Sequence, residues 1–303
     1  MKRFKNILAV YGFASGFDET LQRAIVLARQ NEAHLTVVNA IDPIADERKI
    51  LAERECILTR IVASIALPEA QKSHLVRHGQ TANQILKVAR TIQADLIVTP
   101  DISSGFYSQF LGFDTSMELL RRADCPVWIV RPGNEKNYRL ITAAVNAGKN
   151  GALDCPANRR ILEIGSSLAA LENADFHVVY AWDYAGTERD MMASELPHGK
   201  HQELSELARL RNLDHIVGLV RHVLGDSLEF TPVPVRGNPH TAIIDYVEEQ
   251  NTDLLVADGK IEGPIKTALI GNTVTHLLQQ SSCSILLTRP IPTVRSDRLS
   301  EAA

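Results

Sequence analysis

CPVWIVRP, residues 125–132, and CSILLTRP, residues 283–290, are the two stretches that decide the fold of this chain. Each is a short apolar run that starts at a cysteine and stops at Arg-Pro. The offset of 158 residues between them also carries other segments onto each other, residues 78–79 onto 236–237 and residues 94–100 onto 252–258. A register kept over roughly fifty residues predicts two homologous halves in one chain.

The first parts of the halves also correspond. NILAVYG, residues 6–12, matches LITAAVN, residues 140–146, and HLTVVNAID, residues 34–42, matches FHVVYAWD, residues 176–183. The joint lies in RPGNEKNYR, where Pro, Gly and charged residues replace the apolar pattern. We therefore expect two domains and a polar tail, at residues 1–134, 138–291 and 292–303.

Each half alternates short apolar strands with helices. In the first half the pattern predicts strands at Ile7–Tyr11, Leu35–Ala40, His74–Arg77, Leu96–Thr99 and Val127–Val130. It predicts helices at Asp18–Gln30, with Asp18 as N-cap, and at Asp46–Ala66, Thr81–Thr91 and Thr115–Arg122. Strands that are apolar on both faces indicate a parallel sheet covered by helices. The second half repeats this order, with a long helix around residues 197–220.

Composition excludes several functional classes. The net charge of the 303-residue chain is -4 and no long cationic patch is present, so we expect no nucleic-acid partner. No apolar run approaches the roughly 20 residues that span a bilayer. The N-terminus is typical of a strand rather than of a signal peptide. The cysteines are far apart, which favours reduced thiols and a cytoplasmic location.

No catalytic or metal constellation is found. His198 and His201 have a spacing that could bind a metal on a helix, but no cysteine or carboxylate pattern completes the site, and HGKH is predicted to be a solvated loop. No histidine has a serine or cysteine partner at a diagnostic spacing. Four other conspicuous side chains are predicted to serve packing, namely Trp128, Trp182, Cys125 and Cys283.

The chain resembles the universal stress protein family, in the tandem two-domain form of its bacterial E-type members. The resemblance is carried by CPVWIVRP and by three stretches of the second half, ITAAVNAG, RGNPHTAIIDYVEEQNTDLLV and LIGNTVTHLLQQSSCSILLTRP. It implies an α/β fold of two tandem Rossmann-like (adenine nucleotide alpha hydrolase-like) domains, each a five-stranded parallel sheet with helices on both faces.

Members of this family commonly dimerise through their last strands. The resemblance therefore implies a pseudo-dimer within one chain, with Val127–Val130 beside Ile285–Thr288, because these strands would otherwise leave open apolar edges. A homodimer or other homo-oligomer of the whole chain is a further expectation.

Nucleotide-binding members place an Asp at the end of the first strand against adenine, and a loop G-x-x-G-(nine residues)-G-[S/T] around the phosphates. In the second half these loop positions hold Asp258, Ile261, Gly271 and Asn272, and Asn146 takes the adenine position. Only Gly271 matches. A residual site for ATP would use Val145, Asn146, Gly271, Asn272 and Thr273.

The first half departs further from the family pattern. Its loop positions hold Pro100, Ser103, Phe113 and Asp114, and Gly12 takes the adenine position. Proline lacks an N–H, and Asp114 adds negative charge where phosphate would lie. We expect Phe113 or Phe106 to fill the vacated cleft, which would make this half structural.

Three interpretations of the function remain open. The first is a non-catalytic cytoplasmic stress-response protein that acts as a binding or scaffold module, with no cofactor and with an unidentified protein or small ligand as its partner. The second is an ATP-binding regulator, or a slow ATPase, with one residual site in the second half. The third is a sensor of another small or amphipathic ligand, held at the carboxyl ends of the strands.

Overall fold

The structure is a computed structural model, and it describes residues 3–12, 17–42, 47–101, 112–131, 137–145, 155–182, 198–237, 239–258 and 283–288. The first half contains β1 (Asn6–Val10), α1 (Phe17–Asn31), β2 (His34–Ile41), α2 (Glu47–Ser64), β3 (Lys72–His78), α3 (Thr81–Thr91), β4 (Leu96–Pro100), α4 (Gly112–Arg122) and β5 (Val127–Val130). The second contains β6 (Leu140–Val145), α5 (Pro156–Glu172), β7 (Asp175–Trp182), α6 (His198–Leu224), β8 (Thr231–Arg236), α7 (Pro239–Glu249), β9 (Leu254–Asp258) and β10 (Ser284–Thr288).

All ten of these strands form one sheet, in the order β3-β2-β1-β4-β5-β10-β9-β6-β7-β8. Within each half the neighbouring strands are parallel, and the halves meet where β5 and β10 pair antiparallel. Trp128 pairs with Leu286 and Ile129 with Ile285 at this joint. The predicted pairing of the two last strands is confirmed. Because the joint is antiparallel, the carboxyl ends of the two sets of strands lie at opposite edges of the sheet.

The duplication is visible in the backbone. Helix α7 begins and ends 158 residues after α3, and β9 has the same offset from β4. Gly79 and Gly237 precede α3 and α7 with φ values of 125° and 134°, which a side chain rarely tolerates. Equivalent positions of the two halves therefore keep the same turn as well as the same elements.

One carboxylate in each half, partly buried in the first and buried in the second, fixes the start of the first strand. Asp95 accepts a hydrogen bond of 2.6 Å from the backbone N–H of Lys5. Asp253 accepts bonds of 2.7 and 2.9 Å from the N–H groups of Arg139 and Leu140. These bonds satisfy donors at the amino ends of β1 and β6 and hold each strand in register beside β4 or β9.

The core lies in two layers, one on each face of the sheet. One layer is formed by α1, α2, α5 and α6, and the other by α3, α4 and α7. Trp128 is buried in the first layer, and Cys125 and Cys283 are buried in the second, as expected of packing residues. Burial raises the pKa of Cys283 to about 12, so its thiol stays protonated and unreactive near neutral pH.

Predicted element boundaries of the first half differ from the structure by up to three residues, and one predicted loop is helical. Helix α1 begins at Phe17, so Asp18 lies in its first turn, where its carboxylate accepts a bond from the Tyr11 hydroxyl. Helix α4 begins at Gly112 rather than Thr115. The segment 198–201, predicted to be a loop, is the first turn of α6; the proline before it favours helix initiation, which the glycine within it had obscured. None of the helices in the described ranges is long and apolar enough to cross a membrane.

Substitution of Trp128 by alanine tests the importance of the joint. Trp128 is almost completely buried where β5 meets β10. We expect Trp128→Ala to lower the free energy of unfolding by about 3–5 kcal/mol, since it leaves a large cavity. Urea denaturation followed by circular dichroism measures the change. Val26→Ala, on an exposed position of α1, is the control and should stay within about 0.5 kcal/mol of the wild type.

His177 gives the fold a defined pH dependence. Its ring nitrogen Nδ1 lies 2.6 Å from the Tyr246 hydroxyl, and burial lowers the pKa of His177 below its ordinary value of 6.5. The neutral form is therefore favoured in the folded state, and this contribution to stability is lost as the pH falls through the lowered pKa. We expect His177→Phe to show a flatter decline in unfolding free energy below about pH 6.5 than the wild type. An identical slope in both proteins would contradict the assignment.

Candidate functional site

The candidate sites lie at the carboxyl ends of the strands, where open α/β sheets bind ligands. In the first half this edge carries Gly12 after β1 and Pro100 at the end of β4. In the second half it carries Val145 at the end of β6 and Asp258 at the end of β9. Because the strands of the two halves run in opposite directions, their carboxyl ends lie at opposite edges of the sheet. The halves therefore present two separate sites rather than a shared cleft.

A buried ion pair stands at the edge of the first half. Asp101 follows directly after Pro100, and its carboxylate lies 2.7 Å from the guanidinium of Arg131. The two side chains are 0% and 11% exposed. The Asp101 N–H also donates a bond of 2.8 Å to the Val130 carbonyl, which extends the β4–β5 ladder by one residue. The Asp101 carboxylate is therefore held beside Pro100, which occupies the first glycine position of the family's phosphate loop.

Side chains at this edge also form contacts between the two halves. The backbone N–H of Arg131 donates to the Ser284 hydroxyl at 3.1 Å, and the Tyr138 hydroxyl bonds to the same atom at 2.9 Å. The guanidinium of Arg23 stacks 3.7 Å from the Tyr138 ring centre and forms an ion pair of 2.8 Å with Glu172. Burial raises the pKa of Tyr138, so its hydroxyl stays protonated. This edge therefore serves to connect the halves.

Near Gly12, which corresponds to the family's adenine-contacting Asp, the polar side chains form hydrogen bonds with other groups of the protein. The Asn39 side chain donates a bond of 2.7 Å to the Tyr11 carbonyl, and the Tyr11 hydroxyl bonds to Asp18 at 3.1 Å. Burial, helped by the charge of Asp18, raises the pKa of Tyr11 to about 12. Gly12 follows Tyr11 and supplies no acceptor side chain for adenine.

The second half combines charges of both signs at its edge. Val145 is buried at the end of β6, and Asp258 is partly buried at the end of β9. Arg160, on α5, has its pKa lowered chiefly by burial, while the nearby Asp258 carboxylate opposes this shift. Arg3 reaches across from the first half and forms an ion pair of 2.7 Å with Glu163. Sequence reasoning missed Arg160; its only signal was a basic pair early in the helix that follows β6.

Several predicted site residues lie outside what the structure describes. Of the five residues proposed for a residual ATP site, only Val145 is described; the others are Asn146, Gly271, Asn272 and Thr273. The side chains proposed to fill or close the first site also lie outside it, namely Ser103, Phe106, Phe113 and Asp114. Their roles stay predictions. Within the described ranges, no group of three or more His, Cys, Asp or Glu side chains is placed to hold a metal.

The fold and its edges define a class of protein: a tandem pair of doubly wound α/β domains fused through their last strands. The chain belongs to the universal stress protein family, whose family model matches residues 3–131 and again residues 151–289. The sequence resemblance to this family is therefore confirmed.

Relatives of the E type match the chain over nearly its full length. It is 24% identical over 308 residues to the universal stress protein E homolog of Haemophilus influenzae, covering 95% of this chain and 98% of the relative. It is 21% identical over 307 residues to universal stress protein E of Photorhabdus laumondii, covering 96% of each.

Solved structures share the two-domain fold. A functionally unknown protein from Pseudomonas aeruginosa superimposes with a TM-score of 0.70 at 19% identity, covering 96% of this chain and 94% of that one. A universal stress protein from Archaeoglobus fulgidus superimposes with a TM-score of 0.61 at 16% identity, covering 94% and 98%. At these identities the likeness shows the fold alone.

Breaking the buried pair should destabilise the protein strongly. We expect Asp101→Ala to lower the free energy of unfolding by about 3–5 kcal/mol, because it leaves the Arg131 charge buried without its carboxylate. The control is Asp124→Ala, which breaks the exposed pair of Asp124 with Arg90 and should cost about 1 kcal/mol or less. Equal losses in chemical denaturation would show that the Asp101 pair is not special.

Proposed function

We propose that this protein is a non-catalytic, cytoplasmic binding or scaffold module of the stress response, in which the first half is structural. The observation that carries the proposal is the Asp101–Arg131 pair at the edge where the family binds phosphate. The Asp101–Arg131 pair carries no net charge, so it gives an incoming phosphate no net Coulomb attraction. Arg131 already neutralises Asp101, so it offers little free positive charge to an incoming anion.

The hydrogen bonds around this edge support the same proposal. Ser284 of the second half bonds to Arg131 of the first, and Tyr138 and Glu172 of the second half contact Arg23 of the first. Opening the edge for a ligand would break contacts that hold the two halves together. We therefore infer that selection on this edge favours assembly over ligand binding.

A second candidate function is regulation by an adenine nucleotide bound to the second half. Arg160 interacts electrostatically with Asp258, the residue after which the segment that contains Gly271 begins. Asp258 opposes phosphate binding by Coulomb repulsion, whereas Arg160 favours it; Arg3 is already paired with Glu163. Binding here would be weak, and loss of the Asp258 charge should strengthen it.

Calorimetric titration with ATP distinguishes the two candidates. We expect weak or absent binding to the wild type, with any residual binding abolished by Gly271→Trp. The double variant Asp258→Gly, Ile261→Gly restores two glycines of the loop and should gain affinity. The matched change in the first half, Pro100→Gly with Ser103→Gly and Phe113→Gly, should gain none while Asp101 and Arg131 remain.

Three results would contradict the proposal. Tight ATP binding to the wild type that survives Gly271→Trp would place the nucleotide outside the second half. A gain of binding in the first-half variant would show that the ion pair does not close that edge. ATP turnover by the purified wild type that is lost in Gly271→Trp would establish an enzyme.

A further inference from the structure

The duplication makes α2 and α6 equivalent helices, and their buried faces agree. At the offset of 158 residues, the buried Leu58 and Val62 of α2 correspond to the buried Ile216 and Val220 of α6. Both helices cover the same layer of the core. Helix α6 begins at His198, about two turns before the position equivalent to the start of α2.

The outer faces of the two helices differ in chemistry. Leu207 and Leu210 of α6 are 56% and 43% exposed, and they correspond to the exposed Lys49 and Ala52 of α2. Leu213 and Val217, farther along α6, are partly buried. We call Leu207, Leu210, Leu213 and Val217 the α6 apolar stripe.

The contact between each helix and its neighbouring strand shows the same change from polar to apolar residues. In the first half, Glu55 and Thr59 of α2 bond to His74 of β3 at 3.0 and 3.2 Å. The positions equivalent to these three polar residues are Leu213, Val217 and Pro232. A polar, hydrogen-bonded surface has thus become an apolar one at the same place in the fold.

The first half shows that the fold itself does not require this apolar surface. Helix α2 packs on β3 with Lys49, Ala52, Glu55 and Thr59 at the equivalent positions, so large apolar side chains are not needed there to hold the helix. Between residues 203 and 215 of α6, none of the residues whose side chains the structure describes is buried. Exposed leucines gain free energy only when another surface removes them from water.

We propose that the exposed end of the α6 apolar stripe, Leu207 and Leu210, is an interface with a second copy of this chain, in which the two α6 helices lie side by side and parallel. With Leu207 and Leu210 at the a and d positions of a heptad, Glu206 falls at g and Arg211 at e. In a parallel pair, the g residue of one helix faces the e residue five positions later on the other. Each Glu206 therefore faces the Arg211 of the other copy.

This arrangement is self-complementary but short. The two-fold symmetry makes both Glu206–Arg211 contacts at once, one on each side of the leucines. Asp214 occupies the next a position and ends the apolar contact. We therefore expect a weak dimer whose population rises with protein concentration, because an interface of this size lies below the roughly 1,000 Å² of a stable one.

Charge reversal with mixing tests the proposal on the full chain. In sedimentation velocity, Glu206→Lys and Arg211→Glu should each weaken self-association about tenfold, because each places like charges across the pair. An equimolar mixture of the two variants should restore dimers, since every contact then joins opposite charges. This recovery cannot come from folding or from the ion pair of Glu206 with Arg209 on the same helix.

Charged substitutions in the two equivalent helices provide the matched control. Leu207→Glu with Leu210→Glu should abolish dimers and leave the thermal midpoint of the dilute protein unchanged. Lys49→Glu with Ala52→Glu, at the equivalent positions of α2, should leave dimerisation intact. A wild type that stays monomeric at all concentrations, or a mixture no more dimeric than its components, would overturn the proposal.

Discussion

The antiparallel pairing of β5 with β10 is the contact on which the rest of this structure depends. It joins two five-stranded sheets into one sheet of ten strands and covers two edges that would otherwise be open and apolar. It also reverses the direction of the second half, so that the carboxyl ends of the strands lie at opposite edges. The position of each candidate site therefore follows from the direction of one strand pair.

The polar groups around this joint connect the two halves. In the first half, Arg131 and Arg23 contact Ser284 and Tyr138 of the second half, and Asp101 is paired with Arg131. A buried ion pair adds little net stability, because desolvation of both charges offsets their attraction. It is costly to break, however, and it fixes one arrangement of the edge. The second half has the partly buried Arg160 and Asp258, of opposite charge, at its edge.

The two halves also differ on the outer surface. The helices α2 and α6 have equivalent buried faces, but two exposed positions that hold Lys49 and Ala52 in α2 hold Leu207 and Leu210 in α6. Packing against the sheet constrains only the buried face, so the outer face is free to change under selection for another contact. In a duplicated protein the two halves can be compared directly. A feature that is present in only one half is not required by the fold.

The sequence by itself determined the two-domain α/β fold, the order of the elements and the pairing of the last strands. The reason is that apolar periodicity is local, while the offset of 158 residues and the family resemblance supply the long-range information. Only the tertiary structure revealed the Asp101–Arg131 pair, the approach of Arg160 to Asp258 and the exposure of Leu207 and Leu210. Each depends on residues brought together from different elements, or on what the fold leaves uncovered. The sequence pattern does not show which residues of different elements lie close together. It also does not show whether a given leucine is buried or exposed in the folded protein.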